Sequence, residues 1–270
     1  MATLIIDLDG VIWHGKKLVH PKIPSVIKKL RDYGHKIYFL TNNSTRNAYG
    51  YQKKLGSMGI KTPLSEIVCT ANTVKKYLEN KIKKVKLKPA VFVIGEEGLK
   101  KEIARLPVKI AGLNDNSKID YVVVGLDKKF NYNKLAKAQR AILLGAQFIA
   151  TNADTTLPIN VNTVVPGCGA ILSSIITSAS KKPYIVGKPN PYIIKDILKK
   201  ERGNGKIYIV GDRIDTDILL GRKIGIETIL VLSGATTRQY LEKSKIKPDH
   251  VLRDFTKIGM LKLRTTCVKA

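Results

Sequence analysis

The sequence predicts an α/β fold, a doubly wound parallel sheet of Rossmann-like type with a second α/β unit inserted into it. Two observations carry this. Short apolar runs of strand length alternate with stretches of helical periodicity along the whole chain, the pattern of a parallel sheet wound with helices. Four of the connections carry polar clusters: Asp7-Leu8-Asp9-Gly10, Thr41-Asn42-Asn43-Ser44-Thr45-Arg46, Gly187-Lys188-Pro189-Asn190-Pro191 and Gly211-Asp212-Arg213-Ile214-Asp215-Thr216-Asp217. Open α/β sheets bind ligands beyond the carboxyl ends of their strands, so chemistry is expected there.

The elements follow in order. Leu4-Ile5-Ile6 is a strand stopped by Asp7 and Asp9; taken alone, Asp-x-Asp-Gly is also the composition of a tight turn. Residues 21–33 read as a helix with Val26, Ile27 and Leu30 on one face and Gly34 as its stop. Residues 35–40 are a second strand, 45–58 a helix ending near Gly59, and Thr62-Pro63-Leu64-Ser65 the entrance to a helix that continues through 69–78. The lysine-rich stretch 80–88, closed by Pro89, marks a boundary.

A second series begins beyond it. Strands are expected at 90–94, 109–111, 121–124 and 147–150, and helices at 96–106 and 133–144, the latter with Leu135, Ala138 and Ile142 inward. A polar loop spans 151–162, and Pro166-Gly167-Cys168-Gly169 opens a helix through 178. A helix to about 199, strands at 207–210 and 227–232, a helix at 218–223 and a helical and extended tail complete the chain. The expected division is 1–80 and 181–270 for the core and 81–180 for the insert.

Composition narrows the classes. Forty-eight Lys and Arg against 21 Asp and Glu give a net charge of +27, a field that attracts phosphate-bearing partners. The lysines are scattered, however, and densest at 81–88, where no aromatic platform accompanies them. Without a zinc-finger or RNP-like motif, a nucleic-acid partner is not expected. Cys69, Cys168 and Cys267 form no Cys-x-x-Cys pair, which argues for reduced thiols and a cytoplasmic setting. No signal peptide and no run of membrane-spanning length is recognisable, so no membrane partner is expected. Gly10 to Lys17 has the glycine and lysine spacing of a P-loop, but Lys17 stands where Ser or Thr must bind Mg²⁺.

Taken together, the four clusters resemble the signature motifs of the haloacid dehalogenase superfamily. Within it they are similar to the p-nitrophenyl phosphatase-like branch, which carries a large α/β cap. The resemblance implies a Mg²⁺-dependent phosphatase that hydrolyses small phosphomonoesters through an aspartyl-phosphate. Narrower alternatives are a phosphoglycolate, sugar-phosphate or nucleoside-monophosphate phosphatase. A remoter one is a basic nucleic-acid-binding protein on this scaffold.

Residue roles follow from the resemblance. Asp7 is the nucleophile, which splits one hard displacement into two easier ones. Asp9 is the general acid and base. The side chains of Asp7 and Asp212 and the main-chain carbonyl of Asp9 are the Mg²⁺ ligands, oxygen donors as this ion requires. Thr41, Asn42 and Lys188 bind the phosphoryl group, and Asn43 and Asp217 support the site from behind. The insert implies a cap that closes over the site and favours a small phosphorylated metabolite over a macromolecule. Asn152 and Asp154 are expected to meet the leaving group, with a structural turn as the other reading. The Pro166-to-Gly169 segment could meet an anion through its N–H groups or be a tight turn. The oligomeric state is open, a homodimer being one alternative.

Overall fold

The computed structural model describes residues 1–83, 87–160, 163–261 and 263. Part of the lysine patch at 81–88, two residues of the 151–162 loop and Cys267 lie outside the described residues. The chain opens with β1 (Ala2–Asp7), a small hairpin of β2 (Trp13–His14) and β3 (Lys17–Leu18), α1 (Ile23–Asp32), β4 (Lys36–Thr41), α2 (Ala48–Ser57), β5 (Ile67–Cys69) and α3 (Thr70–Ile82). The inserted unit runs through β6 (Ala90–Ile94), α4 (Glu97–Ile103), β7 (Lys109–Ile110), β8 (Tyr121–Val124), α5 (Tyr132–Leu143) and β9 (Gln147–Ala150). It continues with the hairpin β10 (Thr156–Asn160) and β11 (Thr163–Pro166), then α6 (Cys168–Ala179) and β12 (Tyr184–Ile185). The last part comprises α7 (Lys195–Glu201), β13 (Lys206–Gly211), α8 (Leu219–Ile224), β14 (Glu227–Val231), α9 (Arg238–Lys243) and β15 (His250–Leu252).

Two parallel sheets result. The first has the order β15-β14-β13-β1-β4-β5 and the second β12-β9-β8-β6-β7. In the first, alternate residues enter different cores. Leu4, Ile6, Ile37, Phe39, Tyr208 and Val210 pack on one face, and Ile5, Tyr38, Leu40 and Ile209 on the other. A sheet buried on both faces reads as a continuous apolar run, which is why these strands were visible in the sequence. The chain leaves β1 for β4 on one side and places β13 on the other. That reversal opens a crevice at the carboxyl ends of the three strands.

Two elements differ from expectation, and the extended part of the tail proves to be a strand. The helix entrance at Thr62 is a 3₁₀ turn, Leu64–Glu66, followed by β5, which pairs with Phe39–Thr41. Ile67 and Cys69 are buried there, and a three-residue strand is too short to declare a period. The polar loop after β9 contains the β10–β11 hairpin. The tail holds β15, paired to β14. The second sheet includes β12, so the chain returns to the first sheet only after Ile185.

The two units meet along a polar seam. The Glu102 carboxylate, fully buried, accepts from the side-chain amides of Asn47 at 2.9 Å and Asn72 at 3.1 Å. The Gly98 N–H of α4 donates to the Thr45 carbonyl. A Cβ at Gly98 would lie 2.5 Å from the Arg46 backbone, so only glycine permits this approach.

Candidate active site

Parallel strands ending at one edge bring the predicted residues together. Asp7 ends β1, Thr41 ends β4, and Asp212 follows Gly211 at the end of β13. Lys188 arrives differently, on the linker that follows β12. Asp7, Asp9, Thr41, Asn42, Asn43, Asn152, Asp154, Lys188, Asp212 and Asp217 all line one pocket. Its cap-side wall also includes Leu126, Thr156, Leu157, Pro158, Gly167 and Cys168.

The floor is buried and charged. Lys188 Nζ donates to Asp7 Oδ1 and to Asp217 Oδ1, the latter at 2.7 Å. The carboxylates of Asp7, Asp212 and Asp217 come within 4.8 Å of one another, and all four side chains are almost wholly removed from water. Burial pushes the Asp7 carboxyl well up, against the pull of Lys188, and Asp217, Asp212 and Asp9 push it further. Burial, then Asp217, raises Asp212 to about 7. Burial works to lower the Lys188 ammonium, but Asp217 and Asp7 together hold it charged, above its ordinary value. With all three carboxylates ionised, one ammonium leaves two negative charges in excess, which is why burial holds Asp7 and Asp212 toward their protonated forms. Buried charge of that kind demands a counter-ion.

Glycines make this crowding sterically feasible. A Cβ at Gly10, where φ is +85°, would stand 2.3 Å from Asp212 Oδ2, and one at Gly234 2.0 Å from the same atom. A Cβ at Gly211 would lie 2.1 Å from Asp217 Cγ. The Ala235 N–H donates to Asp212 Oδ2 at 2.6 Å and fixes its orientation.

The loop after β4 is held by its own side chains. Thr41 Oγ1 accepts from the Asn43 N–H, and Asn43 Oδ1 accepts from Thr45 N–H and Oγ1, an Asx turn. Asn42 is committed to another task. Its Oδ1 accepts from the Lys188 N–H at 2.8 Å while its Nδ2 donates to the Lys188 carbonyl at 3.1 Å. The same Nδ2 lies 3.3 Å from Asp154 Oδ1, and Asn152 Nδ2 donates to Asp154 Oδ2 at 2.9 Å. Asp154 therefore faces the pocket and braces its turn at once, and burial raises its carboxyl pKa.

Two expectations resolve structurally. At the start of α6 the Gly169 N–H donates to the Asp154 carbonyl and the Gly167 N–H to that of Thr155, so the segment passes from β11 directly into α6 and those two donors are already used. The stretch from Gly10 to Lys17 forms the β2–β3 hairpin, without the helix N-terminus that a P-loop needs. Sequence reasoning missed Trp13, Ser44 and Arg213. Trp13 Nε1 donates to Asp9 Oδ1 at 2.8 Å; Ser44 and Arg213 line the pocket. The only signal for Trp13 was its place four residues after Asp9.

Comparison with known proteins identifies the family. Residues 4–109 match the model of haloacid dehalogenase-like hydrolases, and residues 185–258 a second hydrolase model of the same kind. A chloroplastic phosphoglycolate phosphatase of Arabidopsis thaliana is 36% identical over 92% of this chain and 74% of its own length. The p-nitrophenyl phosphatase of Archaeoglobus fulgidus superposes with a TM-score of 0.85 at 33% identity, over 96% of this chain and 98% of that one. A glycerol phosphate phosphatase of Mycobacterium tuberculosis, crystallised with magnesium, gives 0.81 at 26% identity over 93% of this chain and 74% of that one. With its carboxylates at the switch point of a parallel sheet and a cap inserted between the halves of that sheet, the chain belongs to the haloacid dehalogenase-like hydrolases.

Proposed function

We propose that this chain is a Mg²⁺-dependent phosphatase of small phosphomonoesters that works through an aspartyl-phosphate on Asp7. The observation that carries the reading is the charge of the pocket floor. Asp7, Asp212 and Asp217 outnumber Lys188 by two negative charges within a few ångströms, and a divalent cation balances that excess. The residues fit Mg²⁺, which takes oxygen ligands: the side chains of Asp7 and Asp212 and the Asp9 carbonyl would hold it. Bound there, it would supply the positive charge that lets a phosphate dianion approach ionised carboxylates.

The chain's own residues perform the remaining tasks. A carboxylate oxygen of Asp7 attacks phosphorus as the ester P–O bond breaks. The Asp9 carboxyl gives its proton to the departing oxygen, then takes one from the water that hydrolyses the aspartyl-phosphate. Lys188 spends two of its three N–H bonds on Asp7 and Asp217, which leaves one for a phosphoryl oxygen. The Thr41 hydroxyl and the Asn42 N–H serve the other oxygens, with Asn43 shaping their loop.

The cap wall of the pocket, with Asn152 and Asp154 opposite the floor, suits a small phosphorylated metabolite. Relatives that act on phosphoglycolate and glycerol phosphate support that class. No helix among the described residues is long and apolar enough to cross a membrane. Cytoplasm remains the compartment this reading favours, given the unpaired thiols of Cys69 and Cys168.

The test is phosphate release from p-nitrophenyl phosphate with Mg²⁺ or with chelator, for the wild type and Asp7→Asn. Metal-dependent turnover that the variant loses is the expected result. A wild type inactive with every divalent metal, or a variant of equal activity, overturns the reading.

A further inference from the structure

Beside the pocket, bonded to Asp9, stands a residue that neither composition nor motif pointed to, Trp13. It is fully buried, and its indole N–H donates to Asp9 Oδ1 at 2.8 Å. Backbone bonds lock the two together: Trp13 N–H and Ile12 N–H both donate to Leu8, and Gly10 N–H donates back to the Trp13 carbonyl. Two residues of α2 pack against the ring itself. Tyr51 lies nearly parallel to it, 6.4 Å away between centroids and tilted by only 4°, and Lys54 Nζ sits 3.7 Å from the indole centroid. Tyr51 is in turn tied down by its hydroxyl, which donates to the Asn43 carbonyl.

An ammonium over an indole face draws electron density from the ring and strengthens the N–H as a donor. An N–H aimed at Oδ1 favours the unprotonated state of that atom, because the carbonyl oxygen of a carboxylic acid is a better acceptor than its hydroxyl. The acid proton of Asp9 therefore belongs on Oδ2, for which no hydrogen-bond partner exists among the described residues.

We propose that Trp13 is a positioning residue for the acid–base carboxyl of Asp9, its indole N–H fixing Oδ1 so that Oδ2 presents the proton to the leaving group. The inference rests on the phosphatase reading and on Asp9 as the acid. In the step concerned, the Asp9 Oδ2–H bond breaks and its proton goes to the leaving oxygen. At the same time the P–O ester bond breaks and the bond from Asp7 to phosphorus forms. Trp13 touches neither substrate nor phosphorus; it limits which rotamer and which oxygen of Asp9 take part.

Such a role has a signature that a packing role lacks. Protonation matters most when the leaving group is a strong base, so its loss is felt by phenyl phosphate, whose phenolate has a pKa of about 10 as tyrosine does. The much less basic p-nitrophenolate departs without help. The two esters differ by one ring substituent, so binding losses affect them similarly. The ratio kcat/KM reports the steps up to and including departure of the leaving group, so later hydrolysis of the aspartyl-phosphate does not enter.

Three variants are compared with the wild type on both esters. Trp13→Phe removes the donor and some volume. Because Trp13 is the chain's single tryptophan, growth of a tryptophan auxotroph on benzothienylalanine replaces that one N–H by sulfur and preserves the shape of the ring. Asp9→Asn reports the acid itself. With Asp9 misoriented, kcat/KM for phenyl phosphate is expected to fall at least about tenfold in both Trp13 variants, as part of the 10²–10⁴ that general acid catalysis supplies. For p-nitrophenyl phosphate the fall should stay within about threefold, and Asp9→Asn should show the same selectivity with a larger loss.

Equal losses on the two esters, or a benzothienylalanine protein that matches the wild type, overturn the inference and leave the phosphatase reading standing. An Asp9→Asn variant without leaving-group selectivity removes Asp9 as the acid. In that case the reading of Asp9 fails and takes the role of Trp13 with it.

Discussion

Asp212→Asn offers a sharp test of the charge argument, because it should stabilise the metal-free protein while destroying its function. Asp212 touches no cation directly, unlike Asp7 and Asp217, and it lies in a space that Gly10 and Gly234 leave only just open. Asparagine is isosteric and keeps an oxygen for the Ala235 N–H. Burial, with Asp217 next in weight, moves the Asp212 carboxyl from 3.8 to about 7. A carboxyl whose pKa is raised on folding stabilises the fold only while protonated. Its ionisation subtracts stability as the pH rises from the unfolded value through the folded one.

The magnitude follows. At 1.36 kcal/mol per unit, the cost of Asp212 is about 2 kcal/mol at pH 5, where the folded form still holds its proton, and about 4 kcal/mol at pH 8. Asparagine carries none of this slope. Whatever fixed penalty its buried amide brings cancels between the two pH values. In chelator, the stability of the variant relative to wild type should therefore rise by about 2–3 kcal/mol from pH 5 to pH 8. Urea unfolding, followed through the fluorescence of Trp13, measures it. With excess Mg²⁺ the variant's advantage should narrow by about 2.7 kcal/mol at a hundred times the dissociation constant, since wild type binds the ion and the variant does not. A stability gap that is flat or shrinks with pH would refute the charge argument.

Two further outcomes test the same floor from other sides. Lys188→Met removes the ammonium shared by Asp7 and Asp217 and should cost about 3–5 kcal/mol in chelator by urea unfolding, with kcat down at least about 10²-fold; a loss below about 1 kcal/mol would mean that the ion pairs contribute little. Gly234→Ala would place a Cβ 2.0 Å from Asp212 Oδ2 and push the carboxylate off its position. The Mg²⁺ concentration for half-maximal activity should rise more than about tenfold, and an unchanged Mg²⁺ titration would exclude Asp212 as a ligand.

What the sequence showed of this site, it showed through contiguity. Asp7 and Asp9, or Asp212 and Asp217, lie in one run next to an apolar strand, and the parallel sheet carries them to a common edge. Residues whose role depends on a distant partner were not legible in that way. Asn42 was expected to offer its N–H to phosphate, yet its side chain is spent on Lys188, 146 residues away. Trp13 reads as one more apolar residue until the turn after β1 folds it back over Asp9. In the fold, β5 and the β10–β11 hairpin were missed for a related reason: each is a short pairing fixed by a neighbouring strand or by its own partner rather than by a period of its own.

The bonds of Asn42 also explain how an inserted unit can belong to the active site without supplying its nucleophile. Lys188 is the cation that bonds both Asp7 and Asp217, and it does not stand at the end of a core strand. It stands three residues after β12, the last strand of the inserted sheet. The chain reaches it through Gly187, where a Cβ would lie 2.4 Å from the Thr151 carbonyl and 2.6 Å from Asn42 Oδ1. Only glycine passes between the loop after β9 and the loop after β4. Asn42 then grips Lys188 by both its N–H and its carbonyl and reaches Asp154 with the same amide. The ammonium that neutralises Asp7 is thus placed by the cap sheet and the core loop together, and the cap residue nearest to that bracket faces the pocket. Asn42 joins the cap residue Asp154 to the lysine that bonds Asp7, so a change of cap sequence around Asp154 acts through one asparagine on the placement of Lys188.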